Sequence, residues 1–313
     1  MSTARLTVPG TILLLGEYAV LEEGGLGLAM AVETRVRLEA SPASSLSIEG
    51  RWPGRSISWT PGQRGTNAIV EAAVDTVSEW LGCPPRARVL VDSSAFFTSD
   101  GRKTGLGSSA AVSVALVCGL LHAAGDMGPR VPDVPGLALN AHRLAQGGRG
   151  SGYDVFSSFH GGTGLFRGGA FPSWEPRALP CDLGVLLFAG PAPVSTSESV
   201  SRYSQWKERN PGPARDFLRE SNNSILSFVD SATTEDARKW LGACRRLGLE
   251  LGRSIGVPAA RPIPAGLDPD WGKSRGAGNE LGLCLAPRGG QLSTDVPGVR
   301  RVRRAETGTV WEE

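Results

Sequence analysis

Long apolar runs are missing from this 313-residue sequence: the stretch at 12–15 is stopped by Gly16 and Glu17. No window reaches the roughly 18 apolar residues that a membrane-spanning helix needs. No charged-then-apolar leader opens the sequence, so the expectation is a cytoplasmic protein with no membrane partner. Cysteine is sparse and scattered, at Cys83, Cys118, Cys181, Cys244 and Cys284, with no CxxC pair and an odd total. That argues against a disulfide framework or zinc knot and fits free thiols in a reducing compartment. The three histidines, His122, His142 and His160, lack metal-ligand spacing and are read as packing or surface residues. An excess of charge of one sign is missing too. Lys plus Arg total 33 and Asp plus Glu 31, a formal charge of +2, which gives no global reason to bind nucleic acid. Any anion must be held by local basic groups. There is no tandem repeat, and Gly272-Lys273-Ser274 lacks the upstream glycine of a Walker A loop.

What is present is an ordinary globular composition, 40% apolar and 20% charged. Strands are expected at 5–15 (broken by a Pro-Gly turn), 28–39, 87–92 and 184–190, with a hairpin at 45–59. Residues 66–82 predict a helix, with Thr66 or Asn67 as cap, Glu71 and Asp75 in its early turns and Gly82 at its end. Residues 109–124 are apolar on nearly every face and predict a buried helix. Further helices are expected at 138–147, 153–159, 197–209, 213–230 and 234–254. Residues 160–169 turn into a strand, 255–270 form a Pro-rich connection, and 276–286 make a Gly-rich turn entering an apolar strand. The basic tail Arg300–Arg304 alternates around a valine and is read as an exposed edge strand. Strands and helices mix without βαβ regularity, which favours α+β over a doubly wound sheet. A second half begins near residue 180.

The chemistry concentrates in Lys103-Thr104-Gly105-Leu106-Gly107-Ser108-Ser109-Ala110-Ala111. Glycines let a backbone approach an anion, serines offer hydroxyls to phosphate or Mg²⁺, and the following helix points free N–H groups at the loop. Lys103 adds a mobile cation. Two other readings stay open at this point. The loose GxGxxA dinucleotide pattern is satisfied, although the polar stretch TSDGRKT precedes it instead of an apolar strand. A plain Gly-Ser turn before a core helix would look the same.

The loop GLGSSAA resembles the hallmark of the GHMP kinases (galactokinase, homoserine kinase, mevalonate kinase, phosphomevalonate kinase). So does the opening Pro9-Gly10-Thr11-Ile-Leu-Leu-Leu-Gly16-Glu17-Tyr18-Ala-Val-Leu21, which is similar to the family's PGKxxLxGEYAVL. Gly276-Ala277-Gly278 looks like the start of its C-terminal GAGGGD loop. Three segments are similar to the phosphomevalonate kinase branch: KTGLGSSAA at 103–111, AQGGRGSGYDV at 145–155 and STSESVSRYSQWKERNP at 195–211. The resemblance implies the α+β GHMP kinase fold of two domains, expected at 1–178 and 179–313. The first would be ribosomal protein S5 domain 2-like and the second ferredoxin-like, with the active site in the cleft between them.

It also implies ATP and Mg²⁺ as cofactors and a small-molecule acceptor, 5-phosphomevalonate, converted to 5-diphosphomevalonate in isoprenoid synthesis. By the same resemblance Asp154 and Lys103 are the catalytic candidates. Lys103, Thr104, Gly105, Leu106, Gly107, Ser108, Ser109, Ala110 and Asn67 would hold ATP, with Ser109 also on the metal. Glu17, Tyr18, Arg149, Ser151, Gly152, Thr196 and Arg202 would line the acceptor site. Asn67 is equally a helix cap, and Arg202 equally a solvated helix residue. The sequence departs from the pattern at Thr11 and Ser197, where lysines are expected, and at Asn279, Glu280 and Leu281. Arg102, Lys273 and Arg275 are the cations that could replace the one absent at 11. Two other readings therefore remain beside the first: a kinase for mevalonate or another acceptor, and a non-catalytic ATP-binding homologue.

Overall fold

A computed structural model describes residues 3–125, 133–189, 196–257, 263–275, 281–287 and 296–312. Its strands are β1 (Ala4–Leu15), β2 (Leu26–Pro42), β3 (Ser47–Trp52), β4 (Arg55–Trp59), β5 (Ala87–Asp92), β6 (Thr163–Arg167), β7 (Ser173–Pro176), β8 (Leu183–Ala189), β9 (Gly272–Arg275), β10 (Leu281–Pro287), β11 (Val299–Val302) and β12 (Val310–Glu312). Its α-helices are α1 (Ala68–Leu81), α2 (Ser108–Ala123), α3 (Val134–Ala145), α4 (Tyr153–His160), α5 (Thr196–Arg209), α6 (Pro211–Val229) and α7 (Thr234–Ser254). Among the described residues no helix is long and apolar enough to cross a membrane.

By internal contact the chain divides into two units, one of Met1–Ile12, Met30–Gly162 and Arg304–Glu313, the other of Leu13–Ala29 and Thr163–Arg303. This is a division of another kind from the boundary expected at 178/179, which concerns family domains along the sequence.

The first unit carries strands in the order β12-β1-β2-β5-β3-β4. β3 runs parallel to β5, whereas β1 with β12, β2 with β5 and β3 with β4 are antiparallel. α2 is buried on all sides, as its apolar sequence requires, and packs against α1, α3, α4 and β5. The expected strand–turn–strand at 5–15 is instead one unbroken strand. Proline's fixed φ is compatible with an extended chain. Gly10 is needed for close approach rather than for a turn: a Cβ there would lie 2.4 Å from the Leu106 carbonyl oxygen and 2.6 Å from the Phe96 ring.

In the second unit β6 and β7 form an antiparallel pair, and β11-β8-β10-β9 form an antiparallel sheet. Of the basic tail segment, residues 300–302 lie in β11, an edge strand among the described residues, and Arg303 and Arg304 lie beyond it. Tyr18, Ala19, Tyr203, Phe217, Leu251, Ile255 and Val257 form a buried cluster in this unit.

Candidate functional site

The glycine loop is anchored from behind by main-chain contacts. Thr11 N–H donates to the Leu106 carbonyl at 2.9 Å, and Thr104 donates to the Phe96 carbonyl through its N–H at 2.9 Å and its hydroxyl at 3.0 Å. Leu106 is buried, while Lys103 is exposed. Gly107 is the N-cap of α2 at φ 75°, and no side chain caps the helix there. A Cβ on Gly107 would stand 2.6 Å from Thr11 Cγ2, so both the backbone angle and the space demand glycine. Ser108 and Ser109, half-buried, open the first turn of α2, followed by buried Ala110. A left-handed glycine, an uncapped helix start, two hydroxyls and an exposed lysine are the parts of an anion cradle.

α4 begins in the same manner. Its N-cap is Gly152 at φ 94°, again without a side-chain cap, and Asp154 lies in its first turn. Asp154 Oδ1 accepts the Val155 N–H at 3.0 Å. The approach to α4 is held by Arg143, whose guanidinium donates to the carbonyls of Gly150 and Ser151, both at 3.0 Å. Burial pushes the Arg143 pKa down, and the charge of Asp154 partly offsets this. Ser151 and Gly152 are buried, and Arg149 is exposed.

The two helix starts meet at a residue the sequence reading had assigned to packing. His142, on α3, has Nε2 3.2 Å from Ser109 Oγ and Nδ1 3.9 Å from Asp154 Oδ1. Ser109, His142 and Asp154 come from three helices, so no local pattern ties them together. The one legible hint is Gln146, four residues on along α3, whose side-chain amide nitrogen lies 2.8 Å from the same Nε2.

Asn67 sits at the N-cap of α1, its side-chain oxygen accepting from Val70 N–H at 3.1 Å. In the second unit, Glu17 pairs with Lys273, which is buried and also donates to the Leu14 carbonyl at 3.0 Å. Lys273 is thus engaged by the carboxylate of the family-like opening. Tyr18 has φ 65° and packs its ring at a tilt against that of Tyr203, centroids 5.2 Å apart. Burial pushes the Tyr18 phenol up to about 12. Arg202 is exposed and paired to Glu198 at 2.6 Å and to the Gly256 carbonyl at 2.8 Å. Arg102 is exposed and paired to Asp100 at 2.7 Å. Thr196 is the first residue of α5, with its side chain outside the described part, as is that of Arg275. The Gly276–Glu280 segment, where the family-like C-terminal loop was expected, lies outside the described residues.

Among the described residues no three His, Cys, Asp or Glu side chains cluster as a metal cage. A serine hydroxyl and one carboxylate fit Mg²⁺ of the kind held mainly by substrate phosphates and water.

A family model described as the GHMP kinases N-terminal domain matches residues 68–162. A mevalonate kinase from Archaeoglobus fulgidus is 30% identical over 258 residues, covering 80% of this chain and 79% of that protein. The chain belongs to the GHMP kinases, a superfamily of small-molecule kinases. A phosphomevalonate kinase from Streptomyces sp. (strain CL190) is 26% identical over 372 residues, covering 99% of this chain and 97% of that protein. The crystal structure of Streptococcus pneumoniae phosphomevalonate kinase in complex with phosphomevalonate and AMPPNP has a TM-score of 0.75 at 18% identity, covering 96% of this chain and 100% of that one. Its likeness is one of fold, and the mixed α+β architecture here is that of the family.

Proposed function

We propose that this chain is an ATP- and Mg²⁺-dependent kinase that converts 5-phosphomevalonate to 5-diphosphomevalonate. The observation that carries the reading is the uncapped start of α2 at Gly107, with Ser109 in contact with His142, which in turn lies 3.9 Å from Asp154 at the start of α4. Phosphoryl transfer asks a protein mainly for positioning and charge neutralisation. The loop 103–110 receives the nucleotide phosphates on its N–H groups and the Ser108 hydroxyl, and Lys103 neutralises charge that develops on the transferred group. Ser109 would hold Mg²⁺ together with the phosphates, and the bound cation would supply further charge neutralisation. An acceptor phosphate oxygen attacks the γ-phosphorus, the bond to the ADP oxygen breaks, and ADP leaves. A phosphate oxygen is already a competent nucleophile near neutral pH, so Asp154 serves to orient the acceptor beside Arg149, Ser151 and Gly152. Glu17, Tyr18, Thr196 and Arg202 complete the acceptor assignment, with Asn67 near the nucleotide.

The full-length similarity to a phosphomevalonate kinase and the segments at 145–155 and 195–211 support this acceptor. Thr11 and Ser197, in place of two lysines, favour a second reading in which the acceptor is mevalonate itself. Asp154 would then have to take the proton of an alcohol. ADP release measured with mevalonate, 5-phosphomevalonate, homoserine and galactose decides between them. The expected result is turnover with 5-phosphomevalonate. Turnover with mevalonate alone sinks the first reading, and tight ATP binding with no turnover on any acceptor favours a non-catalytic homologue.

A further inference from the structure

The imidazole of His142 is enclosed, its side chain 3% exposed, between the starts of α2 and α4. Nε2 faces two groups that can donate to it, the Ser109 hydroxyl at 3.2 Å and the Gln146 side-chain amide at 2.8 Å. Nδ1 has no hydrogen-bond partner among the described residues and lies 3.9 Å from Asp154 Oδ1. A buried polar atom left this way asks for an explanation. The surroundings decide the tautomer. With Nε2 accepting, the ring proton sits on Nδ1 and faces the carboxylate; the opposite tautomer would set a bare nitrogen lone pair against a carboxylate.

This arrangement has a consequence for Ser109. The one Nε2 lone pair is shared between the Gln146 amide and the Ser109 hydroxyl, and a hydroxyl that points its proton there turns its own oxygen lone pairs in the remaining directions. It then meets the loop as a ligand for a hard cation and not as a donor to phosphate. The same ring, through Nδ1–H, faces the carboxylate at the start of α4.

We propose that His142 is a positioning residue for the transfer reaction, holding Ser109 as a cation-facing oxygen and Asp154 in place at the head of α4. The proposal rests on the kinase reading above. It assigns a job to a residue that touches neither nucleotide nor acceptor, acting through two that do.

Two substitutions dissect the ring. Asparagine puts an amide nitrogen where Nδ1 stands, and glutamine puts an amide oxygen where Nε2 stands. In His142→Asn, affinity for a non-hydrolysable ATP analogue, measured by calorimetry, should fall about 10-fold with Mg²⁺ and be nearly unchanged in EDTA. In His142→Gln the Mg²⁺-dependent affinity should hold while kcat falls about 10-fold. Adding His142→Asn to Ser109→Ala should then cost nothing further in Mg²⁺-dependent affinity, since both remove one coupled unit. Multiplicative losses in that double variant overturn the proposal, and so does an affinity loss in His142→Asn that is the same with and without Mg²⁺. If circular dichroism shows His142→Asn to be unfolded, the cycle is read from His142→Gln with Asp154→Asn, on kcat, by the same criterion. Absence of nucleotide binding by the unaltered protein overturns the kinase reading together with this proposal. Binding and turnover with an additive cycle overturn this proposal alone.

Discussion

Two kinds of helix start stand within one unit. α1 begins closed: Asn67 caps it, and the Glu71 carboxylate accepts the N–H groups of Gly65, Thr66 and Asn67 at 2.9, 3.0 and 3.0 Å. α2 and α4 begin at left-handed glycines with no side-chain cap. Each helix faces the same requirement, a first turn of N–H groups without intrahelical partners. In α1 the Asn67 side chain answers Val70 N–H and Glu71 gathers the N–H groups just before the helix, and in α4 the Asp154 carboxylate answers Val155 N–H. At α2 no side chain caps the start, and on the proposed function the nucleotide phosphates do. The second unit adds another closed case, the buried Lys273 paired with Glu17 and Leu14. The lesson is that a polar group the fold leaves unfinished marks a place open to a ligand, whereas a group already answered, as Glu17 is by Lys273 and Asn67 by Val70, must share or exchange its partner to serve a substrate.

The largest expected effect falls on the open side. Lys103→Ala and Asp154→Ala should each lower kcat by on the order of 10²-fold or more. Melting temperatures should fall by only about 2 °C, because Lys103 is exposed and Asp154 gives α4 only the one hydrogen bond from Val155 N–H. Near-normal turnover in either would break the comparison at its centre. On the closed side, Lys273→Met removes the cation paired with the largely enclosed Glu17 carboxylate, and should destabilise the fold by about 3 kcal/mol. Urea denaturation checks this, and combining it with Glu17→Gln should recover part of the loss. A single variant as stable as the parent would show that the pair does not support the fold.

The smallest effect sharpens the case of α1. Hydrogen bonds from the backbone of Asn67, then of Gly65, hold the Glu71 carboxyl below its ordinary 4.5. A carboxyl depressed in the folded state contributes stability above its unfolded pKa and loses it as pH falls through the folded value. Glu71→Gln should therefore lower the melting temperature modestly at neutral pH, with the gap closing in acid once the carboxyl is protonated in both states. A gap independent of pH would mean that the charge is not what finishes α1.

The loop and the helices were legible because their signals are local. Glycine at a left-handed position, a capping asparagine and an apolar 16-residue stretch at Ser108–Ala123 each act within a few residues of where they are written. The Pro9-Gly10 pair misled because the same residues suit a turn or a close crossing, and Leu106, far along the chain, decides which. His142 was opaque for the same reason: Ser109 lies 33 residues away on another helix, and a buried histidine looks alike in sequence whether it packs or connects. Lys273 was visible only as one of three candidate cations. Its partner Glu17 is 256 residues distant, a separation no spacing rule bridges.

The hold of Thr11 on the glycine loop runs through the main chain, from its N–H to the Leu106 carbonyl. Any residue but proline keeps this contact, so substitution of the buried Thr11 changes what the strand packs there without removing that tie to the loop. Position 107 has no such freedom, since its backbone angle and the Thr11 methyl both exclude a side chain. The two positions touch, yet they divide into one open to evolutionary change and one closed to it. A lineage could exchange a lysine for threonine at 11, and with it alter its preference among acceptors, while inheriting the loop intact.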